Sequence, residues 1–335
     1  MQPLIRVAVV GLGWAGTVHA RTLASPPGID LVALADPDPQ RRAAFPHLPS
    51  RTTLEEVLAL GVDYCVVATP TSTHEPIAMQ LAEAGVPALV EKPLAPTAAA
   101  AWRIADAFRH RQLTAAVGHT ERHNPVTAEL ARLLATGDFG PVWQIALRRQ
   151  GPFPDRITDV GVALDLAVHD LDLAAWLTGH PIVQVSATTT SLSRRHEDTA
   201  TATAHLRGGL LAHLHIDRIS PFKNRTVQVH TPSGVLTADA ITGALSLHPN
   251  TAAPSVGGGF TGVVAGEPLR LPVPTGPAPF HREHELMRDA LLGLATPDLV
   301  TPDEGASAVA AAEALLASAR QGHPVAVRHQ HPARI

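Results

Sequence analysis

The sequence predicts an α/β protein in two parts: an N-terminal doubly wound parallel sheet and a C-terminal α+β domain with a mostly antiparallel sheet. In the first third of the chain, short apolar runs alternate with helical patterns, which is typical of βαβ units around a sheet buried on both faces. Beyond about residue 125, longer alternating runs follow, with turn residues between neighbours. The length of 335 residues is ample for two domains, which we place at residues 1–120 and 121–335.

Five strands are predicted in the first domain, and helical patterns separate them. They are Ile5 to Val10, Asp30 to Ala35, Tyr64 to Ala68, Ala88 to Glu91, and Leu113 to Val117. The helical pattern from Ile77 to Ala84 stops at Gly85 and Pro87, a common way for a helix to end. The single cysteine, Cys65, lies inside the third strand, so we expect a small core residue and no disulfide within the chain.

The second domain is predicted to contain a helix over Asp159 to Gly179 and then six β-type runs. These runs are Val183 to Thr189, Thr201 to Leu206, Leu210 to Ile219, Arg225 to His230, Gly234 to Ala238, and Ala244 to His248. The segment from Pro249 to Pro279 is rich in proline and glycine and predicts a long cover loop. Helices over His281 to Leu292 and Asp303 to Ala319 finish the chain, and they can pack back on the first domain.

Composition excludes two classes of partner. The net charge of −4 offers no basic field for nucleic acid, and the chain has no run of like charges. It shows neither a signal peptide nor an apolar stretch long enough to span a bilayer. We therefore expect a cytoplasmic protein with no nucleic-acid or membrane partner.

A glycine-rich motif, Gly11-Leu12-Gly13-Trp14-Ala15-Gly16, follows the first strand and opens a helix. The first glycine permits a tight turn, the second lets the backbone approach a pyrophosphate, and the third lets helix and strand pack closely. Asp36 ends the second strand about twenty residues later, where a carboxylate accepts hydrogen bonds from an adenosine ribose. This spacing predicts a Rossmann domain that binds a dinucleotide through Gly11, Gly13, Trp14, Ala15, Gly16 and Asp36.

The same aspartate bears on which dinucleotide binds. A carboxylate at this position repels a 2′-phosphate, so the sequence favours NAD over NADP. Arg41 and Arg42 lie just beyond it and could hold that phosphate, which leaves NADP open.

A polar loop, Thr69-Pro70-Thr71-Ser72-Thr73-His74, follows the third strand. Loops at the carboxyl ends of parallel strands face the dinucleotide crevice, so we predict cofactor contacts from Thr69, Pro70, Thr71 and His74. Helix capping by Thr71 or Thr73 is an equally good interpretation.

Lys92 is one of only two lysines in the chain and follows the fourth strand within Glu91-Lys92-Pro93. Open α/β sheets bind their ligands at this end of the strands, so we interpret Lys92 as a chemical group of the site. The alternative is a lysine at a strand end that reaches for solvent.

Asp165 and His169 are four residues apart in a strongly apolar segment. On a helix this spacing places them on one face, about 5–6 Å apart at Cβ. An imidazole can take the hydroxyl proton that a secondary alcohol must lose when its hydride passes to nicotinamide. A solvated ion pair is the alternative.

His119 and His123 share this spacing and, with Glu121, allow a zinc interpretation. No thiolate accompanies them, and hydride transfer to nicotinamide needs no metal. No metal site is therefore predicted.

Four features occur in one order along the chain: the glycine loop followed by His19, the Glu91-Lys92-Pro93 triplet, the segment Gly118 to Pro125, and Asp165 to His169. Together they resemble the glucose-fructose oxidoreductase / inositol dehydrogenase / rhizopine catabolism family over nearly the whole chain. The resemblance implies a Rossmann domain joined to a substrate domain with a large open sheet, through which dimers or tetramers form.

The resemblance also implies roles for individual residues. Lys92 would orient and polarise the reacting oxygen beside the nicotinamide, and His169 would be the general acid/base. Asp165 would hydrogen-bond the sugar or position His169. Pro93 would shape the nicotinamide pocket, and Glu91, Lys92 and Pro93 would all belong to the cofactor-binding residues.

A narrower likeness lies in the segment Arg149 to Arg156, which looks like the branch that oxidises the 3-hydroxyl of UDP-N-acetylglucosamine-type nucleotide sugars. Arg122, Arg149 and Arg156 are then candidates for the substrate's diphosphate or carboxylate, since a guanidinium can grip such groups with two hydrogen bonds. His123 stands where the family usually has an aromatic residue.

The sequence therefore predicts an NAD-dependent oxidoreductase that transfers a hydride between nicotinamide and a ring hydroxyl or ketone of a sugar. C3 of a nucleotide-linked hexose is favoured, and a 3-ketosugar reductase or an inositol or cyclitol dehydrogenase is the alternative. A non-catalytic protein that senses a dinucleotide is a further alternative, and such a protein could dispense with Lys92 or His169.

Overall fold

The computed structural model describes residues 4–24, 26–153, 160–192, 196–252, 263–296 and 298–329. The chain forms two compact units. The first contains Met1–His123 and Pro277–Val309, and the second contains Asn124–Gly276 and Ala310–Ile335. The first unit is thus built from two separate stretches of sequence. The two domains predicted at residues 1–120 and 121–335 are defined as independently folding segments, and these boundaries stay a prediction.

Each unit contains its own sheet. The strands of the first unit are β1 (Ile5–Val10), β2 (Ile29–Ala35), β3 (Ser50–Arg51), β4 (Tyr64–Val67), β5 (Ala88–Glu91) and β6 (Ala115–Gly118). Those of the second are β7 (Gln144–Gln150), β8 (Ile182–Thr190), β9 (Thr199–Leu206), β10 (Leu211–Asp217), β11 (Asn224–Thr231), β12 (Gly234–Asp239), β13 (Ala244–Ala252), β14 (Val263–Ala265), β15 (Leu269–Leu271) and β16 (Val325–Ala326).

The helices are shared between the units. They are α1 (Trp14–Thr22), α2 (Pro39–Ala43), α3 (Leu54–Leu58), α4 (His74–Glu83), α5 (Ala98–His110), α6 (Pro125–Thr136), α7 (Val168–Thr178), α8 (Pro279–Leu291) and α9 (Pro302–Gln321). The second unit holds α6 and α7, and α9 begins in the first unit and ends in the second. Within the described ranges, no helix is long and apolar enough to cross a membrane.

The first sheet has six parallel strands in the order β3-β2-β1-β4-β5-β6. Every residue of β4 and β5 is buried, as expected for apolar runs in a sheet covered on both faces. The chain runs outward from β1 to β3 and then returns to β4 on the other side of β1. Ligands bind at the carboxyl ends of strands where the order reverses in this way. The predicted doubly wound parallel sheet is confirmed.

The second sheet has ten strands, in the order β14-β13-β12-β11-β7-β10-β9-β8-β16 with β15 paired to β13. Strands β7 and β10 pair in parallel, and the other neighbours are antiparallel. Buried residues alternate with more exposed ones along β9, so one face of that strand meets the core. The predicted mostly antiparallel sheet is confirmed, and assembly of copies through it stays a prediction.

Three local features differ from the sequence analysis. The helix predicted over Asp159 to Gly179 is wrong as a single α-helix, because Ala163–Ala167 form a π-helix before α7; Asp159 lies outside the described residues. The predicted cover loop is wrong in part, because β13 extends to Ala252 and both β14 and β15 pair with it. Strand β7 is not among the predicted strands, because the inward position after Leu147 is held by a charged residue, Arg149.

Candidate active site

Each of the three glycines in the loop after β1 is required, or tolerated, for a different structural reason. Gly11 has φ +91°, and a Cβ there would lie 2.6 Å from the Ala68 carbonyl oxygen. A Cβ at Gly16 would overlap the Gly11 carbonyl oxygen, so helix and loop pack closely only with glycine. A Cβ at Gly13 would meet nothing within 4 Å. The space beside Gly13 is therefore open to a ligand, as a dinucleotide pyrophosphate requires.

Helix α1 presents its N-terminus to this loop. Its N-cap, Gly13, makes no side-chain cap bond, and its first turn has no acidic residue. The first amide groups of such a helix favour an anion, both through their unpaired N–H groups and through the helix dipole. Trp14 is 57% exposed, with its ring edge-on to Phe280. These residues suit a bound diphosphate.

Asp36 ends β2 and is buried beside the glycine loop. Its Oδ2 accepts the Leu12 N–H at 2.7 Å, and its Oδ1 accepts the Asp38 N–H at 2.9 Å. A carboxylate offers about four acceptor positions, so ribose hydroxyls can still be accepted. Arg41 Nη1 lies 3.5 Å from Oδ2, and Arg42 Nη1 donates to the Asp36 carbonyl oxygen at 2.6 Å.

Replacing Asp36 with alanine should narrow the preference for NAD over NADP about ten- to a hundredfold, because a hydrogen bond to a charged group contributes about 1.5–3 kcal/mol. Calorimetric titration of both cofactors into parent and variant measures the ratio of the two Kd values. Asp38→Asn is the matched control, since it removes a neighbouring charge and keeps a side-chain acceptor for the α2 N-terminus. Equal or tighter NADP binding by the parent would contradict the assignment and point to Arg41 or Arg42.

The loop after β4 is held by its own polar groups. The Thr73 hydroxyl lies 2.8 Å from Thr69 Oγ1 and 2.7 Å from the Pro70 carbonyl oxygen, and it does not cap α4. Buried His74 has Nε2 2.9 Å from the Thr69 carbonyl oxygen and Nδ1 3.0 Å from that of Pro93. Burial lowers the pKa of His74. His74 thus ties the loop to Pro93, and its contact with the cofactor stays a prediction, as do those of Thr69, Pro70 and Thr71.

Lys92 follows β5 at the carboxyl edge of the first sheet. Strands β1, β4 and β5 are parallel neighbours, so the glycine loop, the Thr69 loop and Lys92 all lie at one edge. Lys92 is half-buried, and its backbone N–H donates to Glu91 Oε2 at 3.1 Å. The Lys92–Pro93 peptide bond is cis. The structure therefore brings the predicted lysine to the edge that carries the cofactor motif.

The short 3₁₀-helix Thr120–His123 follows β6 and is largely buried. Arg122 is 4% exposed, and its Nη1 lies 2.7 Å from Glu304 Oε1. Glu304 Oε2 also accepts the N–H of Thr301 at the start of α9. Within the described ranges, no three His, Cys, Asp or Glu side chains are grouped to hold a metal ion.

In the second unit, Asp165 and His169 lie on either side of the change from π-helix to α7. Both are buried, at 4% and 8% exposure, so the solvated ion pair considered above is wrong. Single π-turns inside helices are rare and occur frequently at functional sites. The backbone N–H of Ala163 donates to Glu197 Oε1 at 3.0 Å, which anchors the start of this segment.

Of the two arginines predicted to bind substrate in the second unit, the structure describes Arg149 and not Arg156. Arg149 is 5% exposed, and its Nε and Nη2 lie 2.9 and 2.8 Å from Asp170 Oδ1. Arg156 lies outside the described residues. Asp170 and Glu304, the partners of Arg149 and Arg122, are not among the predicted site residues. Asp170 could have been noticed as a second acidic residue directly after His169, whereas Glu304 is far from Arg122 in sequence.

Two family models match the chain. Residues 5–119 match the oxidoreductase family with an NAD-binding Rossmann fold, and residues 127–237 match the GFO/IDH/MocA C-terminal domain. The chain belongs to the Gfo/Idh/MocA oxidoreductase family. The sequence resemblance is thereby confirmed, and NAD is the cofactor of the first unit.

Curated relatives of this Gfo/Idh/MocA protein act on different substrates. UDP-N-acetylglucosamine 3-dehydrogenase of Acidithiobacillus ferrooxidans is 29% identical over 253 residues, which cover 73% of this chain and 77% of the relative. Inositol 2-dehydrogenase 4 of Saccharopolyspora erythraea is 36% identical over 191 residues, or 54% of this chain and 56% of the relative. The chain thus spans little more than half the length of this second relative.

Solved structures agree over almost the whole chain. The Acidithiobacillus ferrooxidans UDP-N-acetylglucosamine 3-dehydrogenase superposes with a TM-score of 0.82 at 26% identity, covering 95% of this chain and 98% of that one. GenD2 from gentamicin A biosynthesis, solved in complex with NAD, gives a TM-score of 0.81 at 29% identity over 97% of both chains. The protein is an oxidoreductase of a family whose members act on sugar or cyclitol hydroxyls.

Proposed function

We propose that this protein catalyses NAD-dependent hydride transfer at C3 of a nucleotide-linked hexose. The observation that carries the proposal is the position of Lys92 at the sheet edge that also carries the glycine loop and Asp36. Asp165 and His169 supply a buried acid/base pair in the second unit. We assign all three side chains to one reaction.

The chemistry divides between cofactor and protein. When bound, NAD accepts a hydride from the carbon of a secondary alcohol. The hydroxyl oxygen must then release its proton, and His169 is suited to accept it because imidazole titrates near neutrality. Lys92 donates a hydrogen bond to the same oxygen and stabilises the negative charge that develops there. Asp165 orients His169 or binds a neighbouring hydroxyl. In the reverse direction, the same groups would reduce a 3-ketosugar.

The relatives support a sugar substrate and favour the nucleotide-linked form. The UDP-N-acetylglucosamine 3-dehydrogenase resembles this chain over more of its length than the inositol dehydrogenase does. Arg122 and Arg149 each have a carboxylate beside them, which compensates their charge. Arg156, which the sequence analysis names with them, is the third candidate for binding a diphosphate, and this role is part of the proposal.

A cyclitol dehydrogenase is the second candidate, favoured by the 36% identity to an inositol 2-dehydrogenase. A protein that only senses a dinucleotide would have no use for Lys92, Asp165 and His169 together. A screen of UDP-sugars, dTDP-sugars, free sugars and inositols for NADH production separates these functions. NADH production from inositol alone would select the second candidate.

Replacing Arg156 with alanine should raise the KM for a UDP-hexose at least tenfold and leave the KM for the free sugar unchanged. The reason is that charge-assisted hydrogen bonds to phosphate are about twice as strong as neutral ones. Steady-state kinetics with both substrates measure the difference. Arg207→Ala, at an exposed turn of the second sheet, is the matched control. A parent enzyme that prefers the free sugar, with no effect of the Arg156 change, would rule out the nucleotide-sugar proposal.

A further inference from the structure

Four buried side chains of the first unit form a continuous hydrogen-bonded chain. The Tyr64 hydroxyl lies 3.0 Å from His284 Nδ1, and His284 Nε2 lies 3.0 Å from His19 Nδ1. His19 Nε2 lies 2.9 Å from Glu91 Oε1. The first three residues have 0% exposure and Glu91 has 8%. This hydrogen-bonded chain of side chains links β4, α8, α1 and β5 and runs through the protein interior.

The Glu91 carboxylate, together with neutral imidazole rings, fixes the direction of every hydrogen bond in this chain. A carboxylate only accepts, so His19 Nε2 carries a proton and donates to Glu91. With a neutral ring, His19 Nδ1 is then an acceptor and must receive the N–H of His284 Nε2. His284 Nδ1 is in turn an acceptor, and the Tyr64 hydroxyl donates to it. Neutral imidazoles with one shared tautomer satisfy all three bonds.

The surrounding charges agree with this assignment. Burial holds the pKa of His284 well below its ordinary value and that of Tyr64 well above, so both stay neutral. Burial alone would raise the pKa of Glu91, but the His19 hydrogen bond holds it below its ordinary value. Glu283 is fully buried nearby, and burial raises its pKa strongly. Neither carboxyl oxygen of Glu283 has a hydrogen-bond partner in the described part of the protein, so nothing stabilises a charge there. Of the two carboxyl groups, Glu91 is therefore the charged one.

The charged end of the chain meets the backbone of the proposed catalytic lysine. Glu91 Oε2 accepts the N–H of Lys92 at 3.1 Å, while Oε1 is held by His19. His19 belongs to α1, the helix that begins at the glycine loop. Phe280 packs edge-on against both His19 and Trp14, with centroid distances of 4.8 and 6.2 Å. The cofactor helix and the lysine strand are thus joined through one carboxylate.

We propose that His19, His284 and Tyr64 are positioning residues for the reaction at Lys92, and this inference rests on the function proposed above. They hold Glu91 in one orientation, and Glu91 fixes the Lys92 backbone relative to the cofactor helix. The Tyr64 hydroxyl completes the far end by donating to His284 Nδ1. Without it, that buried ring nitrogen loses its donor, and His284 holds His19 less firmly.

The tautomers can be tested in the unmodified protein, without any assay of activity. Nitrogen-15 NMR of histidine-labelled protein distinguishes protonated from unprotonated ring nitrogens, and His19→Gln and His284→Gln spectra assign the two rings. We expect both rings to be neutral, with the proton on Nε2. An imidazolium, or a proton on Nδ1 of either ring, would overturn the proposal. In Tyr64→Phe, the His19 proton should stay on Nε2 because Glu91 still requires a donor, and the His284 Nδ1 signal should shift because that nitrogen loses the tyrosine hydroxyl.

The functional consequence is tested by a matched pair at one position. Glutamine can accept and donate in place of His19, whereas leucine of similar size can do neither. We expect His19→Leu to lower kcat about tenfold with an unchanged Kd for NAD, and His19→Gln to recover most of that loss. Equal kcat values for parent and both variants, at equal thermal stability, would refute the positioning role. An unchanged kcat in Lys92→Met would instead refute the proposed function, whatever the tautomers are.

Discussion

Replacing Lys92 with methionine should lower turnover by about two to four orders of magnitude, the range associated with loss of a positioned acid/base or charge-stabilising group. Methionine keeps most of the length of the side chain and removes its charge and its donors. The effect should fall on kcat, because the interaction with the reacting oxygen strengthens as negative charge develops there. Stopped-flow or steady-state measurement of NADH formation with the best substrate of the screen gives the rate.

The chain supplies a control for this experiment, since its other lysine, Lys223, is exposed. Lys223→Met should retain parental turnover. His169→Ala should lose activity on the same scale as the Lys92 variant and still bind NAD, because His169 is outside the Rossmann domain. Near-parental rates in both Lys92→Met and His169→Ala would show that the assigned mechanism is wrong.

Gly16→Ala should abolish measurable NAD binding. It should also lower the free energy of unfolding by at least about 1–3 kcal/mol, which is the usual cost of overpacking. The new methyl group would overlap the Gly11 carbonyl oxygen, which is backbone and cannot rotate aside. Helix α1 would have to move away from the loop that it supports. Chemical denaturation followed by circular dichroism measures the stability, and calorimetry measures the cofactor affinity.

Gly13→Ala separates cofactor binding from packing. Its φ of −65° suits alanine, and nothing lies within 4 Å of the added Cβ. Stability should therefore stay within about 0.5 kcal/mol of the parent, as for most surface substitutions. The Kd for NAD should rise at least tenfold, because the methyl group occupies the space left for the pyrophosphate. Unchanged NAD affinity in Gly13→Ala would contradict this location of the diphosphate.

The first sheet was predictable because its strands are buried on both faces. Strands β1 and β5 have the bounds predicted for them. A run without periodicity, bounded by glycine or by charge, is the local signature of such a strand. The same reasoning located Lys92, because the end of the Ala88 to Glu91 run determines the edge to which the next residue belongs.

Features that depend on distant residues left no local signal. The partner of His19 is His284, 265 positions away, and no periodicity connects them. In β7, the inward Arg149 looked like a polar interruption because its partner, Asp170, lies in another element. The π-turn before α7 has the apolar composition of an ordinary helix, so its sequence predicted one. Long-range pairing and local helix register are settled by packing, which the sequence pattern alone does not reveal.

The discontinuity of the first unit has a consequence for biosynthesis. Met287, on α8, is fully buried in the same core as β1, yet it is translated only after the whole of residues 124–276. At synthesis rates of about 5–20 residues per second, the N-terminal segment waits about 8–30 s for its missing helix. During that interval the nascent polypeptide exposes the apolar surface that α8 later covers, and chaperones can bind to it. A gene fragment ending at residue 123 should accordingly yield an aggregating polypeptide, even though it encodes every glycine of the dinucleotide motif.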